Sequence, residues 1–141
     1  MTHDARMLAR KSAEAMWAVD RATHALGMEL VDVGPGSATI AMTVRKDMTN
    51  GHGICHGGFI FALADSAFAS ACNSYGPRVV AQHCAVTFLR PAQLGDRLTA
   101  EAVERTRAGR SGIYDVSVKR ADGTLIAEFR GHSRVIDGTW A

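Results

Sequence analysis

Nowhere in this chain do the roughly 18 to 20 unbroken apolar residues of a membrane-spanning helix occur. Helical channels and transporters are thereby set aside. The first residues, MTHDARMLARKSAEAMWAVD, carry charge throughout and hold no apolar core of the kind a secretory leader needs. Charge of one sign is also scarce. The 16 Lys and Arg against 14 Asp and Glu leave a net charge of +2, too little to make nucleic acid the main partner. Only three cysteines are present, Cys55, Cys72 and Cys84, odd in number and irregular in spacing. They do not form a disulfide framework, and a reducing cytoplasm is the expected setting. No internal repeat, low-complexity tract or linker divides the 141 residues. What remains is 47% hydrophobic and 21% charged, the composition of one well-cored domain spanning residues 1–141.

Hydrophobic spacing supplies the elements. Ala5 to Ala25 reads as one amphipathic helix, with Met7, Leu8, Ala15, Met16, Val19, Ala22 and Leu26 recurring at roughly helical spacing and Gly27 as its stop. MELVDV, GPG and SATIAMTVR read as strand, turn and strand, the second with Ala38, Ile40, Met42 and Val44 alternating on one face. Lys46 to His56 is a loop. Gly57 to Asn73 is too long for a buried strand and rich in alanine, so it is expected as a helix, apolar on nearly every side and buried accordingly. About four antiparallel strands follow, with Asp122-Gly123 as a hairpin signal. The order predicts an α+β fold in which an antiparallel sheet wraps the long central helix.

The stretch NGHGICHGGFIFALADSAFASACN, Asn50 to Asn73, concentrates the chemistry. Gly57 and Gly58 open the helix without covering side chains. The first amides of a helix have no intrahelical acceptor, and the dipole adds positive charge there. Such a site suits a carbonyl oxygen becoming an oxyanion, although a close-packed turn accounts for the glycines equally well. Asp65 is the sharper signal. It stands among Phe59, Ile60, Phe61, Leu63 and Phe68 in a segment where carboxylates are rarely buried unpaired. Burial raises a carboxylate towards a general-base range. A salt bridge, or an N-cap of a second helix starting at Ser66, is the structural alternative. Gly57 and Asp65 lie about 12 Å apart along one helix, too far to act on one carbonyl and its attacking water. If both are catalytic, they come from different subunits of a homodimer.

Asn50-Gly51 reads as a turn, or as an amide that holds water or substrate. A Cys55–His56 nucleophile pair is discounted because neighbouring side chains on one backbone rarely pair so. A metal site from His52, Cys55 and His56 lacks a further ligand at recognisable spacing. His3 and His24 are expected in solvent, and His83 and His132 on strands stay open. Arg90, Arg105, Arg107, Arg110, Arg130 and Arg134 suit an ordinary solvated rim or a phosphorylated ligand, with RTRAGR the densest cluster.

NGHGICHGG, LADSAFASACNSYG, FLRPAQLGD, YDVSV and FRGHS together resemble the hotdog-fold acyl-CoA thioesterases, and among them the phenylacetate-degradation, PaaI-like branch. The resemblance runs from about Ala25 to Ile136. It implies dimers assembled into homotetramers and hydrolysis of an acyl-CoA thioester, aromatic and ring-hydroxylated in this branch, without metal or redox cofactor. It places the catalytic carboxylate on Asp65, the oxyanion amide on Gly57, the water- or carbonyl-orienting amide on Asn50 and the motif histidine on His56. Gly58 and Phe59 then adjoin the substrate, with Arg90 and Arg110 as candidates for coenzyme A contact. Relatives that add a hydroxyl near position 81 differ here, where the residue is Ala81. A same-fold hydratase or dehydratase lacks its Asp and His pattern in this chain. A non-catalytic acyl-CoA-binding module leaves Asp65 without a purpose.

Overall fold

The computed structural model describes residues 2–141; Met1, part of the expected domain 1–141, lies outside the described residues. Helix α1 spans His3–Val19 and α2 spans Arg21–Ala25. The strands are β1 (Glu29–Gly34), β2 (Ser37–Thr43), β3 (Pro77–Phe88), β4 (Arg97–Ala108), β5 (Ser111–Arg120) and β6 (Leu125–Thr139), and the long helix α3 (Gly57–Cys72) enters between β2 and β3. All six strands form one antiparallel sheet in the order β1-β2-β4-β5-β6-β3.

The single helix expected over Ala5 to Ala25 is two helices. Asp20 breaks it, extended at φ −88° and ψ 105°, and its Oδ1 accepts from the Thr23 N–H at 3.0 Å. Aspartate favours a cap over a helix interior because its short side chain bonds nearby amides, a preference that periodicity does not display. The loop over Lys46 to His56 contains a 3₁₀ turn at Lys46–Met48 and a bridge between Thr49 and Cys55.

The sheet curls around α3. Ile40, Met42, Leu98, Ala100, Val116, Val118 and Phe129 are buried in the same cluster as Leu63, Ala64, Ala67 and Phe68 of the helix. β5 alternates buried and partly exposed positions, as one covered face requires. Phe68 lies so close to β6 that a Cβ at Gly131 would come within 2.7 Å of its ring. Glycine there lets the helix sit down on the sheet, and burial of one such phenylalanine stabilises by about 1.5–3 kcal/mol.

Two features position the ends of α3. At its C-terminus Asn73, 2% exposed, uses its whole amide. Nδ2 donates to the carbonyls of Ala69 (2.8 Å) and Val79 (3.1 Å), and Oδ1 accepts from Val79 N–H (2.8 Å) and Trp140 Nε1 (2.9 Å). One side chain thus ties α3, β3 and the C-terminal segment together. At the sheet margin β3 pairs, among the described residues, with β6 alone. Its other edge is free over 12 residues, with Val80 and Phe88 exposed, and an open edge of that length is a template for a further strand.

Candidate active site

The N-terminus of α3 is built by His56. Its backbone is extended (φ −60°, ψ 133°), its N–H donates to Met48 O at 2.7 Å, and its Nδ1 accepts from Gly58 N–H at 2.9 Å. An accepting Nδ1 carries no proton, so the neutral ring holds its proton on Nε2. Phe59 N–H turns back to His56 O at 3.0 Å, and the Phe59 ring meets the imidazole edge-on at 6.1 Å. Of the two glycine amides, Gly58 is therefore spent on the cap. The Gly57 N–H has no acceptor among the described residues. Gly57 lines an open cleft of about 540 Å³ with Asn50, Ile60, Phe88 and Arg90.

Asn50 holds the preceding loop. Its Oδ1 accepts from the N–H groups of His52 (3.0 Å) and Ile54 (3.3 Å), and its backbone N–H donates to Ile54 O at 2.8 Å. Nδ2 makes no hydrogen bond among the described residues. The side chain is oriented by its oxygen and leaves its donor available beside Gly57.

Asp65 lies elsewhere. α3 runs unbroken through Ser66, whose Oγ donates to Ala62 O at 2.8 Å, so Asp65 is an interior residue and not a cap. No cation pairs with it among the described residues, and burial lifts its carboxyl above the ordinary carboxylate range. It borders a second cleft, of about 190 Å³, between α3 and the α1–α2 corner. Cys72 and Cys84 are near enough to feel its charge; burial first and that charge second push Cys72 up to about 12 and raise Cys84 as well. Within one chain, then, Asn50, Gly57, His56 and Arg90 gather at one end of α3 and Asp65 opens onto a separate cleft.

Other candidates resolve by their contacts. Cys55 is buried, its thiol donating to His56 O at 3.6 Å rather than meeting the ring, and desolvation pushes it up to about 11, which suits no nucleophile. No group of three His, Cys, Asp or Glu among the described residues is placed to share a metal ion. His83 and His132 face each other across β3 and β6, rings edge to face at 5.2 Å. Phe68 is core, packed on Tyr114 and Phe129, and Phe61 packs on Phe129.

The arginines divide. Arg130 and Arg105 pair with Asp115 at 2.7 and 3.5 Å, and Arg107 pairs with Glu104 at 3.0 Å while lying over the Tyr75 ring. Arg90 donates to Leu125 O at 3.0 Å beside the Gly57 cleft. Arg110 has no ion pair among the described residues and lines a small pocket with Cys72 and Tyr75, at the far end of α3.

Sequence reasoning missed three contributors. Phe88 covers Gly57. Trp17 and Met28 wall the Asp65 cleft. A tryptophan on an amphipathic helix reads as packing, and nothing in its spacing aims it at Asp65.

Comparison with known proteins agrees with this fold. The thioesterase superfamily model matches residues 52–127. The chain is 44% identical to the acyl-coenzyme A thioesterase PaaI of Escherichia coli over 92% of each chain. The structure of E. coli PaaI superposes with a TM-score of 0.93, covering 95% of this chain and 97% of that one. The structure of a point mutant of the phenylacetic acid degradation protein PaaI from Thermus thermophilus superposes with a TM-score of 0.80 at 42% identity, covering 83% of this chain and 100% of that one. Human acyl-coenzyme A thioesterase 13 is 31% identical over 86% of this chain and 89% of its own. The chain belongs to the thioesterase superfamily, among the hotdog-fold acyl-CoA thioesterases of PaaI type.

Proposed function

We propose that the protein hydrolyses aromatic acyl-CoA thioesters, phenylacetyl-type and ring-hydroxylated, to the free acid and coenzyme A. The observation that carries the reading is that the chain holds both an unspent amide donor, Gly57 N–H, and an unpaired, desolvated carboxylate, Asp65, each on its own cleft. The relatives named for acyl-CoA and for phenylacetic acid degradation support the substrate class.

The chemistry follows from those two groups. The thioester carbonyl oxygen accepts from Gly57 N–H, where the dipole of α3 favours the charge that develops on it. Asn50 Nδ2 orients the carbonyl or the attacking water. The Asp65 carboxylate of a second copy takes a proton from water as the hydroxyl oxygen bonds to the carbonyl carbon. The tetrahedral oxyanion collapses, the C–S bond breaks, and coenzyme A leaves as a thiolate. Direct attack by Asp65 through a mixed anhydride uses the same two groups. His56 acts on the backbone: it caps α3 and leaves Gly57 as the free donor. Arg90 is suited to coenzyme A phosphates at the cleft mouth.

A second copy is needed because roughly 12 Å of helix separates Gly57 from Asp65. The free edge of β3 supports one: a two-fold partner strand there brings two α3 helices side by side, and pairs of such dimers account for the tetramer. The functional domain is taken as the whole chain, acting in the cytoplasm.

A free-thiol assay with phenylacetyl-CoA and 4-hydroxyphenylacetyl-CoA tests the reading. Thiol release is the expected result. A double-bond absorbance change without thiol release overturns it in favour of a dehydratase, and binding without turnover in favour of a binding module.

A further inference from the structure

Ser66, Ser70 and Ser74 recur at intervals of four at the C-terminal half of α3 and just past it. Two of them spend their hydroxyl protons on the backbone: Ser66 Oγ on Ala62 O at 2.8 Å and Ser74 Oγ on Ala71 O at 2.7 Å. Ser70 does not. It is 1% exposed, and its Oγ accepts from Trp17 Nε1 at 3.3 Å. No acceptor for its own O–H lies within reach among the described residues. A buried donor left over in this way costs stability unless something occupies the site.

Ser70 borders the cleft that Asp65 opens onto. Both line it, five residues and about 7.5 Å of helix rise apart. Ala62, Ala69, Met28 and Trp17 supply apolar lining, beside the polar Asp20, Thr23 and Ser66. Trp17 is fixed in place: besides its bond to Ser70, its ring meets His24 edge-on at 5.9 Å, and its carbonyl bonds His24 Nε2 at 2.8 Å. The volume, about 190 Å³, exceeds the roughly 150 Å³ of apolar cavity that accepts benzene, and it leaves no room for a long chain. From a thioester carbonyl carbon at Asp65, a phenylacetyl group with a para oxygen reaches about 7 Å by summed bond lengths. The outer wall comes from α1 and α2, wholly ahead of residues 52–127, where the superfamily match lies.

We infer that the N-terminal helix pair completes the acyl pocket of this chain, with Trp17 limiting its depth to one ring and Ser70 O–H donating to an oxygen on the far side of that ring. The inference rests on Asp65 as the reacting carboxylate. Ser70 and Trp17 set specificity and take no part in proton transfer.

The test compares two substrates in one protein. For wild type, kcat/KM is measured with 4-hydroxyphenylacetyl-CoA and phenylacetyl-CoA. Ser70→Ala is expected to lower the ratio of the first to the second about fivefold, the scale of one hydrogen bond. Trp17→Ala is expected to raise kcat/KM for naphthylacetyl-CoA relative to phenylacetyl-CoA by about tenfold. Trp17→Phe keeps one aromatic ring while removing the donor and the second ring of the indole, and it should loosen the size limit less than Trp17→Ala does. An unchanged substrate ratio in a folded Ser70→Ala protein, or an unchanged size limit in Trp17→Ala, overturns the inference and leaves thioester hydrolysis standing. Calorimetric binding of the two CoA esters to Asp65→Asn protein reads the same selectivity without turnover. Selective binding by Asp65→Asn together with a wild-type protein that releases no thiol sinks the hydrolase reading and supports the pocket, while equal affinity for both esters overturns the pocket.

Discussion

The Phe88 ring lies across the backbone of Gly57: a Cβ built there would stand 2.9 Å from its Cζ. A side chain at position 57 therefore meets an aromatic lid at the spot where the carbonyl oxygen is to bind. Phe88 is 50% exposed, so its ring has space to swing outward. Gly57→Ala is expected to fold normally, keep its N–H, and lose about tenfold in kcat/KM because the shifted ring intrudes on the cleft. Adding Phe88→Leu should recover most of that loss. Steady-state kinetics on the single and double variants checks it.

Gly57→Pro removes the donor itself. Residue 57 is the first of α3, where proline is tolerated, and His56 already has the extended backbone that precedes proline. Turnover should fall by about 10²-fold or more, the effect of losing one oxyanion donor. Co-refolding this variant with Asp65→Ala should return a substantial fraction of activity. A mixed dimer carries both lesions in one site and leaves the other intact. Circular dichroism and light scattering on each variant establish folding and size before mixing, and exchanged chains that stay inactive mean that Asp65 works within its own subunit.

Asp65→Asn is expected to lower kcat by at least about 10²-fold while raising the melting temperature at neutral pH. The folded carboxyl is lifted by burial above its ordinary 3.8, so in the window from that value upward the folded state holds more protons than the unfolded. Stability then falls as pH rises through the window, and the cost of the buried charge is complete above the folded value. The stability gain of Asp65→Asn should therefore shrink on acidification and vanish below about pH 3.8. Thermal melts across that range test the sign. The pH profile of wild-type kcat/KM should rise through the same window.

Arg90→Ala should raise KM for acyl-CoA about fivefold, the upper end of one exposed charge contact, and flatten the dependence of KM on salt. Arg105→Ala, whose charge already meets Asp115, should leave both nearly unchanged. Kinetics at two ionic strengths distinguishes the two arginines.

Asn73→Ala should destabilise the protein by about 2 kcal/mol, since it strands the partly buried Val79 amide and Trp140 Nε1. Denaturant unfolding measures it, with loss of Trp140 order visible by fluorescence.

Much of the fold was legible in the chain. The two-residue alternation of β2, the alanine-rich run of α3 and the Asp122-Gly123 turn each report a local period or a local steric preference, and the structure follows them. So did the separation of Gly57 from Asp65, because helical rise is a constant. The division of the N-terminal helix at Asp20 was not legible, since a cap depends on one backbone angle and leaves the hydrophobic period intact. Nor could the sequence tell which amide of the Gly57-Gly58 pair stays free; that depends on where the His56 ring turns. It could not sort six arginines, because an arginine's partner is chosen by the neighbouring strand: Asp115 on β5 takes Arg130 from β6 and Arg105 from β4. Trp17 met Ser70, 53 residues away, only when α1 folded over α3. Local geometry writes itself into the order of residues, while a contact between distant segments exists only after the sheet has closed around the helix.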